Sequence, residues 1–515
     1  MHKQIARFFT LAMVSALVAV AAGSGGPSRL SAANEGFSVL PLISDWVFVS
    51  ADANPPSQAA CAAVSRRCFN PAAMASSYNY AVLHAAGNKG QGKTIAVVDS
   101  FGATTIRQDL GVFNTAFGLP HLCGETGPSD PSANCPSSVS PRFDIVCVQG
   151  CPAPKPPPPN NGTGLEYHNL WDLEVALDVE WAHATAPLAN IILVTTPTAE
   201  TLGVQGFQQM MNAESALIDN GSVDVISQSF GSGEGAFNSG LASLKQLRTT
   251  FEKARANKVT VLASSGDGGT TNGMKVPLKD SRLIPYPSVI WPGSDPLVTA
   301  VGGTYLCTNA VTGATVDNVS PPVNCQVNPA DREPGWVVSG GGYSIYFDRP
   351  DYQNVLPPGS TFAGASAGAP GKNSNMRGIP DISYQASART GVLVYLTEPD
   401  VKGGATGCGG ADPCSTGWYV VGGTSSGAPQ WAGLVALADQ IAGHNLGFIN
   451  PALYRLANNP AKYAADFYDV TKGNNGGGGL PGYDASKGWD AVTGLGTPDA
   501  AKLIPDLIAE VRSTD

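Results

Sequence analysis

Gly422-Gly423-Thr424-Ser425-Ser426-Gly427-Ala428-Pro429, running straight into Trp431-Ala432-Gly433-Leu434-Val435-Ala436-Leu437-Ala438, is the stretch on which the reading of this 515-residue chain turns. The paired glycines permit a tight turn and close backbone approach. Pro429 suits a first helical turn, and the apolar residues after it have the period of a buried helix. The pattern predicts a strand that ends in a turn and passes into a helix, with Ser425 at the helix N-terminus. There its hydroxyl would be exposed, and the N–H groups and positive end of the helix would favour an oxyanion forming beside it. Such a serine is either a nucleophile or an ordinary cap on a buried helix, and the stretch alone does not choose.

Working outward, residues 1–33 carry Lys3 and Arg7, an apolar run from Phe8 to Ala22 and then small residues, which is the order of a secretory signal. The run is shorter than the about 20 apolar residues of a membrane span. A secreted protein with no membrane attachment after signal removal is expected. The remainder is long enough to bury a full core. With 14% charged residues, a net charge of -10 and no basic patch, it offers nothing to nucleic acid. An acidic surface suits work at low pH, where protonation moves the charge through zero. Ten cysteines in an exported chain predict disulfides. Close neighbours suggest Cys61–Cys68, Cys123–Cys135, Cys147–Cys151, Cys307–Cys325 and Cys408–Cys414.

Residues 34–70 read as a short N-terminal extension. From there helices and strands alternate, which predicts an α/β fold with a mostly parallel sheet flanked by helices. Thr94 to Asp99 reads as a buried strand ending in a carboxylate, with a helix over 106–117. A helix over 170–186 leads to a strand at Asn190 to Val194. A helix over 204–218 precedes one strand from Val223 to Gly231, and a helix over 243–256 precedes another that ends near Asp267. On the 170–186 helix, Glu174 and Asp178 stand four apart and share a face. Two carboxylates so placed tend to share a proton, which suits a base. With Asp172 and Glu180 close by, a solvated acidic face is the other reading. Asp267, flanked by glycines, is either a site residue at a strand end or a turn residue.

Together these pieces resemble the sedolisins, or serine-carboxyl peptidases, which share the subtilisin-like fold. The resemblance rests on Glu174-x-x-x-Asp178, Ser264-Ser265-Gly266-Asp267 and Gly423-Thr424-Ser425 in that order. It extends through Val301 to Thr304, Ser339 to Ser344 and Gly378 to Ser383, and covers about residues 71–510. It implies a peptidase domain over 71–515 with protein or peptide substrates, and a monomer. Ser425 would be the nucleophile, Glu174 and Asp178 the base pair, Asp267 the oxyanion-hole acid and Asp99 a support to the base pair. A carboxylate of reference pKa about 4.3 acts as base in acid, where a histidine near 6.5 is already charged, so peak activity is expected at roughly pH 3 to 5.

The C-terminal region, from Phe467-Tyr468-Asp469-Val470 through Ser486-Lys487-Gly488-Trp489-Asp490, is similar to the sedolisin calcium loop. The resemblance implies one Ca2+ held by Asp469 and Asp490 with the carbonyls of Val470, Ser486 and Gly488, an oxygen set suited to a hard cation. Three departures stand out: Ser486 replaces a usual glycine, Phe230 replaces a frequent tryptophan, and only about 36 residues separate the signal from the domain, where the family carries a long pro-segment. Two alternatives follow. One is a catalytically silent secreted binding protein on this fold. The other is a subtilisin-like peptidase whose base is one of the six histidines.

Overall fold

The computed structural model describes residues 40–41, 45–125, 135–148, 168–196, 204–237, 240–273, 283–317, 325–326, 331–360, 369–397, 415–477 and 479–512. The signal segment, Cys151, Pro152 to Pro159 and the expected Cys408–Cys414 pair lie outside these residues.

A seven-stranded, wholly parallel sheet forms the centre. Its strands are β4 (Thr94–Ser100), β5 (Phe143–Cys147), β6 (Asn190–Thr196), β7 (Val225–Gln228), β9 (Thr260–Ser264), β11 (Thr299–Thr304) and β14 (Ile382–Gln385). They lie in the order β14-β11-β9-β7-β4-β6-β5. β4 shows why its sequence is continuously apolar. Ile95 and Val97 join the core beneath the helices His168–Thr185 and Gly427–Ala442, while Ala96 and Val98 join a second core with Phe207, Met210 and Phe251. A strand covered on both faces needs apolar residues at every position. Each fully buried leucine or phenylalanine contributes about 1.5–3 kcal/mol.

A second, four-stranded sheet has the order β2-β16-β15-β3, from β2 (Asp45–Ser50), β3 (Arg67–Phe69), β15 (Thr390–Leu396) and β16 (Gly417–Gly422). Within the stretch expected to be an extension, residues 45–50 and 67–69 are woven into the body: β2 pairs antiparallel with β16, and β3 runs parallel to β15. Cys61–Cys68 closes the loop between β2 and β3, and Cys123–Cys135 and Cys307–Cys325 are also bonded.

The single strand expected over Val223 to Gly231 breaks at Ser229. β7 stays in the central sheet, and β8 (Phe230–Gly233) leaves it to lie between β1 (Leu40–Pro41) and β10 (Ile290–Trp291), antiparallel to both. The helix expected over 243–256 likewise divides at Arg248, whose guanidinium is held by Asp295. Two short ribbons complete the described strands: β12 (Gly342–Asp348) with β13 (Met376–Ile379), and β17 (Phe467–Tyr468) with β18 (Thr497–Pro498). No described helix is long and apolar enough to cross a membrane.

Candidate active site

β16 ends at Gly422, and a single 3-10 turn, Thr424–Ser426, carries the chain into the helix Gly427–Ala442. A side chain on Gly422 would meet the Ala388 backbone nitrogen at 2.1 Å, and Gly423 has φ +147, so both positions need glycine. The turn presses against the Glu174 helix, β11 and β14. Ser425 is consequently buried, with 0% exposure, where the sequence predicts an exposed hydroxyl. Tertiary packing around the turn encloses it. β1, paired with β8 on one side, also lies against the Glu174 helix, and Asp45 of β2 pairs with Gly422 on the other.

The Glu174 helix is buried on every side from Trp171 onward. Asp172 and Glu180 are buried with it, which removes the solvated-face reading. Glu180 turns away from the pair and accepts the Tyr395 N–H at 3.1 Å. Glu174 and Asp178 lie one turn apart, and Asp99 reaches them from the end of β4. Burial pushes the Glu174 carboxyl well above the usual range, reinforced by Asp178, Asp99 and Asp267, while the Ser425 hydroxyl stabilises its anion. Glu174 and Ser425 are thus neighbours, although they stand outside strict hydrogen-bond geometry. Burial and then Asp99 raise Asp178, and the Ser229 hydroxyl, 2.9 Å from Oδ1, opposes them. Burial alone pushes Asp99 up to about 8. At acid pH the cluster therefore holds protons rather than several charges.

Asp267 follows β9 by three residues. Its Oδ1 accepts both the backbone N–H and the hydroxyl of Thr424, each at 2.8 Å. The structure thus brings Asp99, Glu174, Asp178, Asp267 and Ser425, drawn from four separate segments, to one place. Ser229 and Thr424 join them with no role assigned from sequence. Each is a hydroxyl next to a strand end or a glycine turn, a faint signal among many.

Four of the histidines are engaged elsewhere. His84 and His183 meet the backbone oxygens of Thr185 and Pro120, His121 contacts Glu125, and His444 faces its neighbour's carbonyl. Burial lowers His183 to about 4.

β17 and β18 close the C-terminal loop that carries Asp469, Val470, Ser486, Gly488 and Asp490. Asp490 is buried. It accepts backbone N–H groups from Ser486, Val492 and Thr493 and the Thr493 hydroxyl. Asp469 accepts the Gly488 N–H and the Tyr463 hydroxyl. Gly488 has φ +79, and a side chain there would strike Ser360 Oγ at 2.3 Å. The loop therefore brings both carboxylates to the turn Ser486–Gly488, where each accepts a backbone N–H from it. No group of three or more His, Cys, Asp or Glu side chains suited to a metal occurs among the described residues.

With this geometry in view, the chain is similar to kumamolisin of Bacillus sp. (strain MN-32), 32% identical over 345 residues that cover 65% of this chain and 51% of that protein. It is similar to sedolisin of Pseudomonas sp. (strain 101), 33% identical over 49% of this chain and 35% of that protein. The solved Pseudomonas sedolisin, complexed with two molecules of pseudo-iodotyrostatin, superposes with a TM-score of 0.59 at 25% identity, over 87% of this chain and 99% of that one. The chain has the sedolisin-family, subtilisin-like fold. Human tripeptidyl-peptidase 1 is a further relative of this sedolisin-like chain, 27% identical over 65% of it and 52% of that protein. The matches thus span about half or less of these curated relatives' lengths. No family model matches the chain.

Proposed function

We propose that this chain is a secreted, acid-active serine-carboxyl endopeptidase. The observation that carries this reading is the enclosed cluster in which the buried Ser425 hydroxyl neighbours the buried Glu174 carboxyl. Ser425 Oγ attacks the scissile carbonyl as Glu174 takes its proton, with Asp178 tuning Glu174 and Asp99 supporting Asp178. The tetrahedral oxyanion accepts hydrogen bonds from protonated Asp267 and from the Ser425 N–H. Glu174 passes its proton to the leaving amine, and water, activated by Glu174, then hydrolyses the acyl-enzyme. Ionised Asp267 would repel the oxyanion, which confines the reaction to acid. The disulfides support an exported protein.

Asp469 and Asp490, with the carbonyls of Val470, Ser486 and Gly488, would hold one Ca2+. The ion would pin the loop between β17 and β18 and takes no part in the chemistry.

The test is cleavage of a denatured protein at acid pH by the wild type and by Ser425→Ala, Glu174→Ala, Asp178→Ala and Asp267→Ala. Loss of about 100-fold or more in each variant supports the reading. Wild-type rates in Glu174→Ala, or a neutral optimum, would sink it.

A further inference from the structure

Thr424 stands directly before Ser425 and is fully buried. Its hydroxyl oxygen accepts the Gly266 N–H at 3.1 Å. That N–H can only donate, so the threonine's own proton is directed elsewhere, to Asp267 Oδ1 at 2.8 Å. The Thr424 backbone N–H, a second obligatory donor, meets the same oxygen at 2.8 Å. Two hydrogens therefore already point at Oδ1.

We propose that Thr424 is a positioning residue that confines the acid proton of Asp267 to Oδ2 and so fixes the direction in which this acid donates. The proposal rests on the reading of Asp267 as the oxyanion acid. A neutral carboxyl has one proton and two oxygens, and an oxyanion hole is effective only when its donors are aimed before charge develops. The polarity of the chain Gly266 N–H to Thr424 Oγ1 to Asp267 Oδ1 achieves that aim through backbone that cannot reverse it. Gly266 itself has φ +115 and neighbours Asp267, so both ends of the chain are held by one turn. The threonine methyl lies on the Gly303 side, 3.5 Å from where a Cβ on that glycine would stand.

Thr424→Val keeps the methyl and removes the hydroxyl, while Thr424→Ser keeps the hydroxyl and removes the methyl. The experiment measures kcat and KM on a peptide across pH for both variants and for Asp267→Ala, with thermal melting to establish folding. The expected result for Thr424→Val is a kcat lower by about 10–100-fold with KM within about threefold. Its alkaline limb should move to higher pH, because a donor to Oδ1 stabilises ionised Asp267 and its loss favours the acid. Thr424→Ser should stay within about threefold of wild type. A wild-type pH profile in Thr424→Val, or a loss in Thr424→Ser as large as in Thr424→Val, overturns the proposal. If Asp267→Ala is slow while Thr424→Val is normal, only the role of Thr424 fails. If Asp267→Ala keeps wild-type kcat, the oxyanion reading fails and takes the proposal with it.

Discussion

The Ser229 hydroxyl donates a 2.9 Å hydrogen bond to Oδ1 of Asp178. It does so at the point where the chain leaves the central sheet, between β7 and β8, so the break in the strand aims a side chain at the carboxylate pair Glu174 and Asp178. Because this bond favours the ionised form, removing it raises Asp178 further. Ser229→Ala should move the acid limb of kcat/KM to higher pH and lower the rate at pH 4 about three- to tenfold, while stability falls by only about 1 kcal/mol. A pH–rate profile superimposable on wild type would show that Ser229 does not tune the pair.

Stability should decline as pH rises. Burial, the leading cause in each case, pushes Asp99 and Glu214 up to about 8 and Asp109 and Glu234 up to about 7. An unfolded carboxyl titrates near 4, so between these values the folded chain holds protons that the unfolded chain has released. The stabilisation is complete below about pH 4 and is lost as pH climbs through the folded values near 7 and 8. Calorimetry should show Tm falling by roughly 10 °C from pH 4 to pH 8. A Tm that rises over this interval would contradict the burial of these groups as neutral acids.

Arg377 and Asp381 form a fully buried, two-pronged ion pair, with contacts of 2.8 and 2.6 Å, beside the edge strand β14. Asp381 also accepts the Ala300 N–H and the Tyr454 hydroxyl, so it ties β11, the β13–β14 turn and the helix Asn450–Asn458 together. Replacing Arg377 with methionine leaves a buried carboxylate without its counter-charge and should cost about 3–5 kcal/mol in urea unfolding. A loss below about 1 kcal/mol would mean that water or a rearranged neighbour compensates.

If the C-terminal loop holds calcium, a hundredfold excess over Kd stabilises the fold by about 2.7 kcal/mol. Melting with added Ca2+ should exceed melting with chelator by several degrees, and Asp490→Asn should abolish the difference. An identical pair of melting curves for the wild type would remove calcium from this loop.

The local features were legible because they are written in short-range patterns. The four-residue spacing of Glu174 and Asp178 determines that they share a helix face. The apolar run from Ile95 to Val98 marks a strand covered on both faces. Gly422 and Gly423 mark the tight turn before Ser425. What escaped was set by partners far away in sequence. Whether the Glu174 helix faces solvent depends on what covers it, and Asp172 and Glu180 turn out to be buried with the pair. The strand break at Ser229 is equally invisible, since Val225 to Gly231 has the composition of one continuous strand. Residues 45–69 carry little periodicity yet become β2 and β3, because strands 320 or more residues later supply their pairing edges.

By itself, then, the sequence determined the α/β alternation, the turn that carries Ser425 and the carboxylate pair one helical turn apart, because backbone geometry and side-chain period act within a few residues. Only the tertiary structure decided that Ser425 is enclosed, that Asp99, Asp178 and Glu174 form one buried cluster, and that Ser229 and Thr424 direct hydrogen bonds onto Asp178 and Asp267. The physical reason is that burial sets proton affinity, and burial is a property of the assembled fold rather than of any one segment.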